Sequence, residues 1–171
     1  MADTTTTKWG LIKPEVGSSA DTWGGKINDN LDTIDENIFP VIGTVSQSGG
    51  TPTGALMETG AVGGAGRYWR FANGLQICAA TMTATYQTTA ELAVMWTYPA
   101  AFVAVPNSIQ VTMNSDSPGS RAPGVQELGL TTISGITSTS VIGRQFRVSG
   151  KTNFEVSDTV PLCFTATGRW F

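Results

Sequence analysis

The stretch Arg67-Tyr-Trp-Arg-Phe-Ala-Asn-Gly-Leu-Gln-Ile-Cys78 decides the fold class of this chain. Two runs rich in aromatic and aliphatic residues flank Asn73 and Gly74, and Asn-Gly between such runs is a strong signal for a β-hairpin. A two-residue type I′ turn predicts that Ala72 pairs with Leu75. In that register neither face of the hairpin is purely polar, so both faces need cover from a second sheet or from neighbouring subunits.

The rest of the C-terminal region has the pattern of short strands separated by turns. Proline and glycine residues interrupt the apolar runs at intervals. The last run alternates apolar and polar residues almost to Phe171, which is typical of a half-buried strand. This spacing predicts a β-sandwich-like domain over residues 67–171. Besides the hairpin, the predicted strands are 91–98, 101–105, 108–114, 136–142, 144–149 and 160–170.

Residues 43–66 differ in composition from the regions on either side. Gly, Ser, Thr and Pro dominate this segment, and a chain of this kind is typical of a flexible or polyproline-like connector. The pattern therefore predicts three regions: an N-terminal region with a helix at 1–42, a linker at 43–66 and a β-rich domain at 67–171.

One short helix is predicted in the N-terminal region. Its apolar residues are Ile27, Leu31, Ile34 and Ile38, and Pro40 ends it. The intervals of four, three and four residues are those of a coiled coil, and Leu at a with Ile at d favours three or four strands over two. The same spacing also suits an amphipathic helix that packs on its own domain. We expect a short trimeric coiled coil, within a fold that is otherwise mainly β.

The composition indicates a protein that associates. Charged residues make up 13% of the chain and hydrophobic residues 40%, with a net charge of −3. Disordered chains combine low hydrophobicity with high net charge, so assembly is the better interpretation. The arginines are scattered singly, which argues against a nucleic-acid partner. The sequence has neither an apolar run long enough to cross a bilayer nor a signal peptide at its start, which predicts synthesis in the cytoplasm without membrane insertion.

The residues that most catalytic and metal sites need are missing from the sequence. The chain has no histidine, and its two cysteines, Cys78 and Cys163, are far apart. Imidazole-based triads and the usual zinc sites are therefore excluded. The acids around the helix do not fit a calcium loop, because Leu31 and Thr33 occupy positions where ligands are required. We expect no enzyme activity, no metal and no cofactor.

Residues 114–124 form the best candidate for an exposed contact loop. This segment is polar, rich in turn-forming residues and placed between predicted strands, which is where binding residues concentrate. An ordinary flexible loop has the same composition. The candidate receptor-contact residues are Asn114, Asp116, Ser117 and Arg121.

Two parts of the sequence resemble bacteriophage fibre proteins. Residues 8–35, beginning Lys8-Trp-Gly-Leu-Ile-Lys-Pro14, resemble the anchor segment at the start of many phage tail-fibre proteins. Residues 52–60 and 66–78 are similar to the opening of a fibre-tip domain in phages and prophages of marine alphaproteobacteria. Trp96-Thr-Tyr-Pro-Ala-Ala-Phe102 and Ala166-Thr-Gly-Arg-Trp170 continue this similarity. Together these segments cover more than a third of the chain.

The resemblance implies a structural subunit of a virion, synthesised in the bacterial host. Such fibres are homotrimers that the N-terminus fixes to other phage structural proteins of the tail, baseplate or capsid. The β-rich fibre-tip domain then meets a host-surface glycan or protein. A head fibre or capsid-decorating spike would use the same parts, and a stand-alone carbohydrate-binding module is a third alternative. The implied virion-anchoring residues are Trp9, Pro14, Trp23 and Asn28.

Overall fold

The computed structural model describes residues 3–7, 10–15, 21–37, 41–114 and 119–171. The chain divides into two units, Met1–Val41 and Ile42–Phe171. The fold is mainly β with one short α-helix among the described residues, as the sequence predicts.

The first unit pairs a small hairpin with the helix. Strands β1 (Thr4–Thr5) and β2 (Ile12–Lys13) are antiparallel, and helix α1 spans Trp23–Asn37. The side chain of Asn30 joins the helix to β2: its Oδ1 accepts from the Ile12 amide at 2.6 Å and its Nδ2 donates to the Ile12 carbonyl at 2.8 Å. One amide side chain therefore satisfies both backbone groups of an edge-strand residue.

The second unit contains ten strands in its described part. Two of them form a small separate hairpin, β3 (Gln47–Ser48) with β4 (Thr51–Pro52). The other eight belong to one antiparallel sheet with the main order β10-β11-β8-β7-β12-β9; β6 pairs with β7, and β5 pairs with β6. These eight are β5 (Met57–Val62), β6 (Gly66–Phe71), β7 (Leu75–Thr88), β8 (Glu91–Thr97), β9 (Ser108–Met113), β10 (Leu128–Ser134), β11 (Ser140–Arg147) and β12 (Thr159–Arg169).

The long strand β7 determines the shape of this sheet. Along one edge it pairs with β12 from Leu75 to Thr85. Along the other edge its first half pairs with β6 and its last residues pair with β8, so the sheet divides there. The end strands β9 and β10 come close to each other, and a Cβ added at Gly143 of β11 would strike the ring of Phe164 on β12. The sheet therefore curls around one core. The sequence predicts a β-sandwich-like arrangement, whereas the structure has one curled sheet at this place.

Aromatic residues fill the middle of that core. Trp96 is fully buried, and its ring centroid lies 4.9 Å from that of Tyr98 and 5.2 Å from that of Phe164. Phe102 packs edge-on against Tyr98 at 5.1 Å. On β12 the buried side chains alternate with outward ones, as the sequence predicts for the last strand. The inward residues of β12 are Val160, Leu162, Phe164 and Ala166.

The hairpin that opens the β-rich region is present, but its predicted register is wrong by one residue. Tyr68 pairs with Cys78 and Trp69 with Ile77, so the loop has three residues instead of two. Of the described residues none but glycine has a positive φ, so Asn73 does not adopt a type I′ turn; Gly74, at φ +88°, closes a three-residue loop instead. A register shift of one residue moves the side chains of a strand to the other face of the sheet. Tyr68 therefore points inward and Trp69 points outward.

The structure does not have the flexible linker that the sequence predicts at residues 43–66. This segment supplies β3, β4 and β5, and Val45 and Ala55 are buried. The Glu58 carboxylate accepts from the Tyr68 hydroxyl at 2.8 Å and from the Val45 amide at 3.0 Å. Gly60 lies under the Tyr68 ring, where a Cβ would clash. Glycine here provides packing space rather than freedom of the backbone.

Other strand boundaries also differ from the sequence patterns. Residues 101–105 form no strand, although Phe102 is buried. The predicted strands 136–142 and 144–149 are one strand, β11, because Gly143 provides room for Phe164 and does not end the strand. The sequence does not predict strand β10, because its Thr- and Ser-containing segment gives a weak periodic signal.

Both cysteines are free, and they differ in accessibility. Cys78 is fully buried, and burial raises the pKa of its thiol to about 11. Cys163 is half-buried on the outward side of β12. Because thiolates are the reactive species, we expect a maleimide at about pH 8 to label Cys163 in the native protein and to label Cys78 after unfolding. A Cys163→Ser variant that still reacts quickly in its native state would contradict this expectation.

Candidate functional site

The structure describes three of the four residues implied as virion anchors. Trp9 lies outside the described residues. Pro14 is half-buried after β2, Trp23 is the first residue of α1 with 57% of its surface exposed, and Asn28 is exposed on the helix. Their joint role as anchors remains a prediction.

The helix carries an apolar stripe that its own unit covers incompletely. At about 100° per residue, Trp23, Ile27, Leu31 and Ile34 fall on one side of α1. Ile27 and Ile34 are half-buried, while Leu31 is 57% exposed. The neighbouring side, centred on Asn30, faces β2. Ile38 lies outside the described residues. The stripe is therefore available for a partner, and the trimeric coiled coil remains a prediction.

A partly buried ion pair helps to hold the first unit together. The Lys26 ammonium lies 2.5 Å from an Asp3 carboxylate oxygen, and the other oxygen accepts from the Glu15 amide at 2.9 Å. The bond with Lys26 is the main cause that lowers the pKa of Asp3, and the bond with the Glu15 amide adds to it. These contacts connect the start of the chain to the helix and to the segment after β2.

The predicted contact loop is fixed at the ends that the structure describes. Asp116 and Ser117 lie outside the described residues. The amide of Asn114 donates to the Pro161 carbonyl at 3.0 Å, so the loop leaves β9 along β12. Arg121 is half-buried, and the next residue, Ala122, donates to Asp158 at 2.9 Å. The described part of this loop is therefore pinned to the body of the domain, and its contact role remains a prediction.

Asp158 is the residue that holds the second end of this loop. It is 3% exposed, and its two carboxylate oxygens accept from the Ala122 amide at 2.9 Å and the Glu155 amide at 2.8 Å. An asparagine side chain at this position would present one acceptor oxygen where two are used. We expect Asp158→Asn to lower the free energy of unfolding by about 1–3 kcal/mol and to speed hydrogen exchange at Ala122 or Glu155. Glu155→Gln is the matched control, and equal exchange rates in both variants would contradict this role.

Among the described residues, three depressions line the β-rich unit. One, of about 340 Å³, lies between β6, β7 and β12 and includes Arg67 and Trp69. A second, of about 290 Å³, lies on β8 and β11 beside the ion pair of Glu91 with Arg144. The largest of the three, about 420 Å³, is lined by Asn73, Leu75, Asn107, Thr167, Gly168 and Arg169.

The sequence does not predict this largest depression. Its residues come from the β6–β7 loop, the segment before β9 and the end of β12, which are far apart along the chain. The local signal at this place, the pair Asn73-Gly74, indicates only a turn. We call this depression, together with the six residues that line it, the end depression.

The described residues contain no arrangement typical of a metal centre or a membrane span. No group of three or more His, Cys, Asp or Glu side chains comes together in them. None of the helices described is long and apolar enough to cross a membrane.

Comparisons with known proteins give partial structural similarities. No protein-family model and no curated protein matches the sequence. The C-terminal part of the R2 pyocin fibre of Pseudomonas aeruginosa matches with 20% identity and a TM-score of 0.44, over 65% of this chain and 26% of that one. An N-truncated R1-type pyocin tail fibre has 12% identity and a TM-score of 0.47, over 64% of this chain and 84% of that one. The tailspike protein gp49 of Pseudomonas phage LKA1 has 17% identity and a TM-score of 0.37, over 57% and 15%.

This chain spans about a quarter of the R2 pyocin fibre fragment and 15% of the phage tailspike chain.

Proposed function

We propose that this protein is a non-enzymatic structural subunit of a bacteriophage particle. Three copies associate as a short fibre, with the N-terminal unit fixed to other virion proteins and the β-rich unit facing the host surface. The sequence resemblance of residues 8–35 to fibre anchors and of residues 66–78 to fibre tips supports this role.

The observation that carries the proposal is the apolar stripe on α1. Trp23 and Leu31 are each 57% exposed on a helix whose other sides carry mainly polar and charged side chains. Leaving such residues in water loses the free energy that burial would provide, about 1.5–3 kcal/mol for a fully buried side chain. Association of three helices along this stripe would bury them, in the arrangement that the a/d spacing favours.

The surface of the β-rich unit is compatible with association. Large apolar side chains are exposed on several strands and loops, including Met95 at 62%, Leu130 at 69% and Val103 at 61%. In the described residues of this unit one ion pair is formed, Glu91 with Arg144. Low charge with exposed apolar residues favours contact with copies or partners over a solitary protein.

The second candidate is a head fibre or capsid-decorating spike. One observation favours it: helix α1 ends at Asn37 and the β-rich unit begins at Ile42, so only a short stretch of chain connects anchor and tip. A chain with no long shaft between these two regions suits decoration of a head surface, which needs no long reach.

The test is to locate the protein on intact particles by electron microscopy with a label at the C-terminus. Label at the tail end would support the adhesive fibre, and purified protein should then block infection. Label scattered over the head would contradict the adhesive fibre and support the capsid-decorating spike. Native mass measurement at micromolar concentration complements this, because a folded monomer of 18.0 kDa would contradict the trimer.

A further inference from the structure

The end depression combines polar side chains from three separate segments of the β-rich unit. Asn73 belongs to the hairpin loop, Asn107 precedes β9, and Thr167 and Arg169 lie near the end of β12. Leu75 contributes an apolar wall. Small-ligand sites have this mixture of a concave shape, an apolar surface and a few convergent polar groups.

The Arg169 guanidinium is held in place at this site. Its Nε donates to the Phe171 carbonyl at 3.0 Å, and its carbon lies 5.4 Å from the centre of the Phe171 ring. Gly74 allows the terminal nitrogen to approach the turn, because a Cβ at that position would meet it. The side chain is therefore oriented before any ligand arrives, which reduces the entropy lost on binding.

Apart from the Arg169 Nε, the side-chain nitrogen donors of the end depression form no hydrogen bond within the described part of the chain. Arg169 forms no ion pair with an Asp or Glu side chain there, and its two terminal nitrogens donate no hydrogen bond to the described residues. Asn73 uses its Oδ1 to accept from the Leu75 amide at 3.0 Å, which leaves its Nδ2 available, and the exposed side-chain amide of Asn107 has no hydrogen bond in the same residues. A ligand for this site must therefore supply acceptors, with negative charge opposite the guanidinium.

We propose that the end depression binds an anionic saccharide, with a sugar carboxylate on Arg169 and sugar hydroxyls on Asn73, Asn107 and Thr167. A planar guanidinium matches a carboxylate in a bidentate arrangement. The volume of about 420 Å³ lies within the range of small-ligand sites. This inference rests on the proposed adhesive function, since it names the chemical class of the surface ligand. Each site binds weakly, and three sites on one fibre raise the overall affinity.

The experiment titrates the intact protein with three probes: a glucuronate-containing tetrasaccharide, the neutral cellotetraose and inorganic phosphate. Calorimetry gives the affinities, and the side-chain amide NMR signals of Asn73 and Asn107 report the location. We expect the acidic tetrasaccharide to bind at least tenfold more tightly than the neutral one and to shift both amide signals, with weaker binding at high salt. Equal binding of the two tetrasaccharides, or stronger binding of phosphate, would overturn the proposal.

Variants separate the site from the stability of the domain. Arg169→Ala should weaken binding of the acidic tetrasaccharide at least tenfold, and Asn107→Ala about threefold, because a bond to a charged group is worth more than a neutral one. Arg67→Ala removes an exposed arginine of another depression and should leave the affinity unchanged. If Arg169→Ala lowers the melting temperature, the affinity of Asn107→Ala for the acidic tetrasaccharide becomes the deciding measurement. The Asn107 side chain forms no hydrogen bond among the described residues, so its loss should not affect stability.

Binding to host cells distinguishes this inference from the function it rests on. Cell binding that is equal for the unaltered protein and for Arg169→Ala would overturn the saccharide site and leave adhesion intact. No cell binding by the unaltered protein, together with normal binding of the acidic tetrasaccharide, would overturn adhesion and leave the site intact.

Discussion

Replacing Trp96 by alanine should lower the free energy of unfolding of the β-rich unit by about 3–5 kcal/mol. Its ring is fully buried between Tyr98 and Phe164, and its Nε1 donates to the Ala65 carbonyl at 2.8 Å. Alanine would remove these contacts and leave a cavity that the rigid sheet cannot close. Thermal unfolding should show a decrease in melting temperature of about 10 °C or more.

Two variants serve as controls for this expectation. Trp96→Phe keeps an aromatic ring but loses the bond to Ala65, so we expect an intermediate loss of about 1–3 kcal/mol. Met95→Ala changes the adjacent residue, which is 62% exposed on the opposite side of β8, and should change the free energy of unfolding by less than about 0.5 kcal/mol. Similar losses for Met95→Ala and Trp96→Ala would show that the core lies elsewhere.

The second large effect concerns association. Ile34→Asp should convert the proposed trimer to monomers of 18.0 kDa, because it would place three carboxylates where the apolar stripes of three helices converge in that trimer. Ile34 is half-buried within its own chain, so some helicity will also be lost. Native mass spectrometry or light scattering measures the change in mass, and circular dichroism measures the helix.

Asn28→Asp is the matched control for the added charge. Asn28 is exposed and lies about 100° around the helix from Ile27, off the apolar stripe. This variant should keep the mass of the unaltered protein. If Ile34→Asp keeps it as well, the helix does not mediate association, and the stripe serves only its own unit.

The hairpin at residues 67–78 illustrates how far local sequence can predict structure. Asn73-Gly74 and its apolar flanks identify two antiparallel strands, and they are present. The register depends on whether the turn has two or three residues, and both forms use glycine at a positive φ. The bonds of Tyr68 to Glu58 and of Gln76 to the Ala100 carbonyl at 2.8 Å favour the inward position of both side chains. Residues distant in sequence therefore complete what the turn leaves open.

The prediction of a linker at residues 43–66 differs from the structure for a related reason. The composition of this segment indicates the backbone conformational freedom that glycine has in an isolated chain. In the folded protein the same lack of a side chain lets Gly60 lie against Tyr68 and lets Gly66, at φ +99°, approach the Ala79 carbonyl. Composition cannot distinguish these two uses, because the neighbour that needs the space is supplied by another strand.

By itself the sequence determined the mainly β class, the one short helix, the apolar stripe of that helix and the lack of histidine chemistry. These features are local, since periodicity of 2 or 3.6 residues and turn-forming pairs are properties of short segments. Only the tertiary structure decided the strand order, the curl that encloses Trp96, and the end depression around Arg169. Each of these brings together residues that are distant along the chain, and their contacts depend on long-range strand pairing that no local pattern specifies.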